Sequence, residues 1–484
     1  MIICGFKCFL LASSLCLMAQ TLLAGNLDIK NGKWKIAFNK NTQTIDYLYQ
    51  ETTLLKETFV QAINASGEVL KSSDYPIATL KRENISDTFG KGKKYTYVYS
   101  GRPGKENLEQ VFYFYPARNY LLTEAYLLSD QRTSCNWIAP VMSNTSSTFL
   151  PADGDNRLLD VPFDNDSFRG YSANPWNTSS VSCEVTAFYD ATSRQGLCLG
   201  SIEHDNWKTG ITYSSSENNC LQSLSVFGGL VDARTNDIRP EKGPAIHKHG
   251  KLYGTRIKSP KILVGFFKDW RIGMENIGEA TALITPPLPW QKGTIFAWQS
   301  WGGMADKVNY TGAIDISDYF RNKLQPAGFH NENGEVYMIL DSFWDNFNEQ
   351  QLKDFVSHCK ANGQIPGIYW TPFSFWGGEK DNWNVEGTDG KYKYGDIIIT
   401  ANGKRRKIES YALDPTHPGT LARIDWQIKR FKDWGYKYVK IDFINNAALE
   451  ADKFYNPDIT TGIQAYNYGM SYFAKACGDD LFID

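Results

Sequence analysis

Three prolines within four residues, Pro286, Pro287 and Pro289 in "TPPLPWQKG", cut this chain into two stretches with different hydrophobic rhythms. Each proline fixes its own φ and lacks an N–H, so the cluster can continue neither a helix nor a central strand, and it reads as a linker. Before it, from Asn26 to about Ala280, short apolar and aromatic runs alternate with turn residues, as in "KWKIAFN", "KKYTYVYSG", "LEQVFYFYP", "NYLLTEAYLLS" and "SPKILVGFF". Period-two runs bounded by Gly, Asn and Asp are strand signals, and many in succession predict a large antiparallel β-sandwich. Helical periodicity is nearly absent from that stretch.

After the prolines, strand-like runs alternate with helical ones. "TIFAWQSWGG" leads to a helical run around "AIDISDYFRNKLQPAG". "EVYMILDSFWD" leads to "EQQLKDFVSHCKANG", where Leu352, Phe355, Val356 and Cys359 recur at helical spacing and Gly363 supplies a stop. "QIPGIYWTPFSFWGG" is followed by the helix "HPGTLARIDWQIKRFKDWG", then "YKYVKIDFIN", the helix "TGIQAYNYGMSYFAKACG" and a last strand "DLFID". This alternation predicts parallel α/β structure, whose commonest large form is the (β/α)8 barrel. Five strands are legible where a closed barrel has eight, so the fold class expected is multidomain, a β-sandwich followed by an incomplete TIM barrel: either the chain is a fragment of a longer one, the simplest reading, or a partner polypeptide completes the barrel, or the second unit is not a barrel. The expected units are 1–25, an export signal; 26–285, the β-sandwich; and 290–484, the first part of the barrel.

The opening "MIICGFKCFLLASSLCLMAQTLLAG" joins one lysine to an apolar segment ending in small residues, the pattern of a cleaved signal, which places the protein outside the cytoplasm, periplasmic or extracellular. No later run is apolar enough to span a bilayer. Cysteines 135, 183, 198, 220, 359 and 477 lack CxxC spacing, so neither a zinc site nor a disulfide pairing is readable. A net charge of −2 shows no basic surplus, which argues against nucleic acid as a partner. The 14 Trp, 27 Tyr and 27 Phe lean mildly toward carbohydrate, since aromatic faces pack against the C–H faces of sugars.

In a barrel the chemistry sits at the C-terminal strand ends. There this sequence carries Trp298 and Trp301, Asp341 and Trp344, Trp370 and Phe373, and Lys440, Asp442 and Asn445. Taken singly, a strand-end aspartate is more often a helix cap and a strand-end tryptophan more often packing. Recurrence at the same end of successive strands raises the functional reading, because a sugar pocket needs apolar walls with a few convergent polar groups. Lys440 and Asp442 are two apart and share a strand face, so the lysine can hold the carboxylate ionised or reach the same ligand. In the first stretch, "ADGDNRLLDVPFDND" lacks the spacing of a helix-loop-helix calcium loop. It is read instead as a loop touching the sugar through Asp164 and Asp166, or as an Asx-rich turn. "HKH" at 247 to 249 lacks a third ligand and reads as an exposed loop, and "KRRK" at 404 to 407 as part of an exposed hairpin.

"YVKIDF" behind a helix ending in "DWG", "YALDPTHPG" opening that helix, "WQSWGG" and "LDSFWD" together resemble the clan of retaining α-galactosidases, the melibiase-like glycoside hydrolases of families twenty-seven and thirty-six. "VPFDNDSFRGYS" is similar to a segment of bacterial secreted members. The resemblance implies hydrolysis of terminal α-galactosyl or related α-glycosyl residues of oligosaccharides or polysaccharides, without a cofactor or metal. It implies Asp442 as nucleophile, Lys440 and Asp341 as contacts to sugar hydroxyls, and Trp298, Trp301 and Trp370 as pocket walls. Trp344 and Asn445 complete the expected contacts. The clan's acid/base aspartate comes from a sixth strand, so none is assigned. Alternatives are a non-catalytic carbohydrate-binding relic and a galactosyl transferase of the same fold.

Overall fold

A computed structural model of the chain describes residues 27–162, 170–216, 219–231, 248–289 and 293–484. The expected export signal, Asp164, Asp166 and His247 lie outside these residues.

The described residues up to Phe267 build two antiparallel sheets, one of nine strands and one of ten. Strands such as Trp34–Asn39, Thr44–Tyr49 and Thr52–Ile63 belong to the first sheet; Gly90–Ser100, Asn107–Phe114 and Ile262–Phe267 belong to the second. Alternate side chains of both sheets meet in one core: Ile36, Tyr47 and Val60 from the first pack with Tyr97, Phe112 and Val264 from the second. The rings of Tyr47 and Phe112 meet edge to face at 5.5 Å. The outer face of the second sheet, with Leu122, Leu263 and Phe267, is covered by the helix Trp270–Ile284. That helix corrects the expectation of strands running to about Ala280. Asp269 caps it by accepting the Arg271 N–H, and Gly273, Ile277 and Ala280 form its buried stripe. Pro286, Pro287 and Pro289 follow in an exposed stretch without regular structure.

Beyond them lies a five-stranded parallel sheet in chain order: β1 (Ala297–Gln299), β2 (Tyr337–Leu340), β3 (Ile365–Trp370), β4 (Tyr438–Ile441) and β5 (Phe482–Ile483). Helices α1 (Tyr310–Tyr319), α2 (Glu349–Ala361), α3 (Pro418–Trp434) and α4 (Gly462–Cys477) connect them. The expected stops hold locally. Asn348 and Gln351 form a reciprocal cap on α2, and Gly435, at φ 92°, closes α3 in the left-handed region that glycine enters without strain. Met338, Leu340, Ile368, Trp370 and Val439 face the helices, whereas Tyr337, Ile339, Ile365, Tyr438 and Phe482 cluster on the opposite face. Closure of this sheet into a barrel is not seen among the described residues.

A buried polar junction joins the two parts. Glu450, 2% exposed, lies 3.2 Å from the ammonium of the fully buried Lys208. Its Oε2 accepts the Gly250 N–H at 2.9 Å and the Gly462 N–H at 3.1 Å. A Cβ on Gly250 would stand 1.9 Å from the Thr460 carbonyl oxygen, and one on Gly462 2.1 Å from that of Ala448, so only glycine allows this approach. His249 stacks on Trp207 and is buried, which corrects its reading as part of an exposed loop. Cys135, Cys198, Cys220, Cys359 and Cys477 are free thiols; Cys220 is half-buried and the others are buried. Among the described residues no helix is long and apolar enough to cross a membrane.

Candidate functional site

Strand pairing determines which side chains meet. Tyr369 on β3 pairs with Lys440 on β4, and Leu340 of β2 pairs with Ile368, which brings Asp341 to the level of Tyr369. Asp341, Tyr369 and Lys440 therefore form one row across three strands, on the face turned from the helices. Lys440 Nζ passes over the Tyr369 ring, 5.4 Å from its centroid, and donates to Asp341 Oδ2 at 2.8 Å. Asp341 is buried, and its backbone N–H is held at 2.9 Å by Ser300 Oγ from the segment after β1.

Asp442, two residues beyond Lys440 on the same face, is half-buried. Its Oδ1 accepts the Phe443 N–H at 2.8 Å, and its Oδ2 accepts the Tyr369 hydroxyl at 3.3 Å. Both of these donors are neutral, while the lysine is committed to the other aspartate. The expectation that Lys440 faces Asp442 is thus replaced by a division of partners: one carboxylate is ion-paired with the lysine, and the other accepts from a phenol and a backbone N–H. Burial, then the negative charges of Asp442 and Asp341, push the Tyr369 phenol well above its ordinary range, so it remains a proton donor.

Both aspartates end their strands in the same way. Asp341 Oδ1 accepts the N–H of Ser342 at 2.7 Å, as Asp442 Oδ1 does that of Phe443. Each turn then places a phenylalanine in the left-handed region, Phe343 at φ 67° and Phe443 at φ 51°. The two rings are turned toward exposed tryptophans. Phe343 stacks with Trp301, centroids 6.2 Å apart and planes 8° apart, and Phe443 meets Trp376 edge to face at 4.9 Å.

The other expected contacts are distributed unevenly. Trp301 is exposed at the strand ends, on the short helical turn Ser300–Met304. Asn445 is 6% exposed in the turn after β4, with a buried Oδ1 that has no hydrogen-bond partner among the described residues. Trp298, Trp344 and Trp370 pack in the helix-side core instead of lining a pocket. Trp344 donates its Nε1–H to the Tyr369 carbonyl, and Trp370 lies against Phe473 under the Arg423 guanidinium. The physical reason for Trp370 is strand parity: it ends β3, but the residue facing the aspartates is the one before it, Tyr369. The signal that identifies Tyr369 is its even spacing from the strand start at Ile365, the same parity that links Tyr438, Lys440 and Asp442.

A cavity of about 860 Å³ lies elsewhere, lined by Tyr253, Asp414, His417 and Tyr455 among others, and it does not include Asp341, Lys440 or Asp442. Its polar groups have structural duties. Asp414 accepts the Thr416 and Tyr455 N–H groups, and His417 Nδ1 accepts the Gly419 N–H at the start of α3. Among the described residues no cluster of His, Cys, Asp or Glu is arranged to hold a metal.

No protein-family model matches the chain. Solved structures do match in fold. A beta-arabinopyranosidase superposes with a TM-score of 0.59 at 12% identity, over 95% of this chain and 66% of its own. A GH36 alpha-galactosidase variant from Geobacillus stearothermophilus, in complex with 1-deoxygalactonojirimycin, gives 0.60 at 10% identity over 94% and 71%. An alpha-N-acetylgalactosaminidase from Bifidobacterium bifidum gives 0.56 at 10% over 94% and 77%. Variants of the Geobacillus enzyme have also been solved with stachyose and raffinose. The chain thus has a galactosidase-like fold and spans 66% to 77% of the length of the three structures described.

Proposed function

We propose that the chain is the nucleophile-bearing part of an exported retaining α-glycosidase of the galactosidase type, acting on oligosaccharides or polysaccharides. In this reading residues 1–25 are the export signal, 26–285 the β-sandwich unit, and 290–484 the first part of a (β/α)8 barrel. The observation that carries it is the pair of unlike carboxylates: Asp341 neutralised by Lys440, and Asp442 held by a tyrosine hydroxyl and a backbone N–H. Asp442 attacks the anomeric carbon, the glycosidic C–O bond breaks, and the leaving oxygen takes a proton from a carboxylic acid; water then hydrolyses the glycosyl ester. No acid/base is assigned among the 484 residues. The Lys440 and Asp341 pair and the unpartnered Asn445 Oδ1 orient sugar hydroxyls, and Trp301 forms an apolar wall.

A fluoride leaving group departs with its electron pair and needs no protonation, so the first step can be tested without the acid. A 2-fluoro α-galactosyl fluoride, whose second fluorine slows breakdown of the ester, is expected to add one glycosyl unit to the peptide bearing Asp442. The Asp442→Asn variant should remain unlabelled. Labelling at another residue overturns the assignment, and sugar binding without any ester replaces the enzyme by a carbohydrate-binding protein.

A further inference from the structure

The cavity of about 860 Å³ takes its lining from both parts of the chain: Lys251 and Tyr253 from the sandwich, His417, Lys453 and Tyr455 from the loops after β3 and β4. Its apolar lining is buried, with Ile397, Ile398, Ile399 and Phe454. The carboxylates around it are already served. Asp414 accepts the N–H groups of Thr416 and Tyr455, Asp452 those of Asn402 and Gly403, and Asp396 that of Lys393. The cations are not. Lys248, Lys251 and Lys453 are exposed and have no ion-pair partner among the described residues. His417, 7% exposed, uses Nδ1 to accept the Gly419 N–H, which leaves the proton of the neutral ring on Nε2. That N–H has no hydrogen-bond partner among the described residues. Tyr253 and Tyr455 are 51% and 57% exposed; the Arg132 guanidinium lies over the Tyr253 ring, and the Tyr455 ring meets His417 edge to face at 4.6 Å.

We propose that this cavity binds an acidic oligosaccharide, a short chain of pyranoses bearing carboxylate or sulfate groups, at a place separate from the carboxylate row. The tyrosine rings cover C–H faces of the sugars, the His417 Nε2–H donates to a hydroxyl, and the lysines meet the anions. A neutral sugar would leave the ammonium groups unused, and a bare inorganic anion would leave the rings and the isoleucines uncovered. The volume suits a ligand of this size, since small-molecule sites span roughly 300 to 1,000 Å³. Because such a ligand touches both parts of the folded chain at once, its binding also stabilises their junction.

Calorimetric titration of the full chain with trigalacturonate and with its fully methyl-esterified form tests this, because esterification removes the charges and keeps the rings. Trigalacturonate is expected to bind about tenfold tighter than the ester, to bind more weakly as sodium chloride is added, and to raise the thermal midpoint. The double variant Lys251→Gln with Lys453→Gln, changed only at exposed positions, should bind the acid no better than the ester, and Tyr455→Ala should weaken both. Unchanged thermal midpoints without ligand show that the variants fold. A sulfated galactotriose identifies the anion, sulfate if it binds tighter than trigalacturonate and carboxylate if it binds more weakly. Equal affinity of wild type for acid and ester, or unchanged affinity of the double variant for the acid, overturns the inference. So does failure of wild type to bind either anionic probe at millimolar concentration. None of these outcomes bears on Asp442, which the fluoride labelling tests separately.

Discussion

Replacing Lys208 by methionine tests the junction between the two parts of the chain. The lysine side chain is 0% exposed and that of Glu450 2%, with their charged atoms 3.2 Å apart. Two backbone N–H groups, from Gly250 and Gly462, reach the same carboxylate. Removing the ammonium leaves a buried carboxylate deprived of its lysine, and breaking such a pair from one side costs about 3 to 5 kcal/mol. Glu450→Gln removes the carboxylate's charge beside the buried ammonium instead and falls in the same range. Removing both charges together is different, because the double variant buries no unmatched ion; it should cost at least about 2 kcal/mol less than the sum of the singles. Urea denaturation followed by tryptophan fluorescence gives the stabilities, each from midpoint and slope. Urea is preferred to guanidinium because it adds no salt, so the same series can be repeated in sodium chloride, which screens a buried pair little. Single variants costing under about 1 kcal/mol, or a double variant costing the full sum, would refute the reasoning.

Gly250→Ala and Gly462→Ala should each lose about 1 to 3 kcal/mol or more by overpacking against a backbone carbonyl, read as a lower calorimetric midpoint. Gly278→Ala, exposed in the helix Trp270–Ile284 with open space around its Cβ, should instead gain about 1 kcal/mol in the same measurement. Burial holds the His417 imidazole below its ordinary value of 6.5, against the opposing pull of Asp414 and Asp396. Below that value the unfolded chain binds a proton that the folded chain refuses, so stability falls as pH drops through about 6.5. His417→Asn keeps a side-chain acceptor for the start of α3 and should flatten the fall in thermal midpoint between pH 7 and 5; an equal fall in both proteins would count against this origin.

Local signals were legible where one residue type has one physical consequence. The proline cluster, Gly363 after α2, Gly435 after α3 and the alternation of the early strands all follow from backbone freedom and side-chain period. The helix Trp270–Ile284 was hidden because two of its three buried positions are Gly273 and Ala280, which carry little hydrophobic signal. In the site, Asp341, Lys440 and Asp442 stand out in the sequence, and the structure brings them to one face. What could not be read is who pairs with whom. Lys440 meets an aspartate 99 residues upstream on another strand, a contact fixed by strand order and register. Trp370 drew attention as the larger aromatic at the strand end, yet a shift of one position decides between core and site, and Tyr369 holds the site position.

Five free thiols, Cys135, Cys198, Cys220, Cys359 and Cys477, give the molecule a built-in set of clocks. Cys220, half-buried, is expected to react first with a thiol reagent, and the buried thiols only when their surroundings open; burial lifts the thiols of Cys359 and Cys477 to about 12 and that of Cys135 to about 11. Cys135 and Cys198 are packed in the sheets, Cys359 and Cys477 in α2 and α4. The order in which these thiols become modifiable therefore records, without any introduced label, whether the sheets and the helices open separately or in one event.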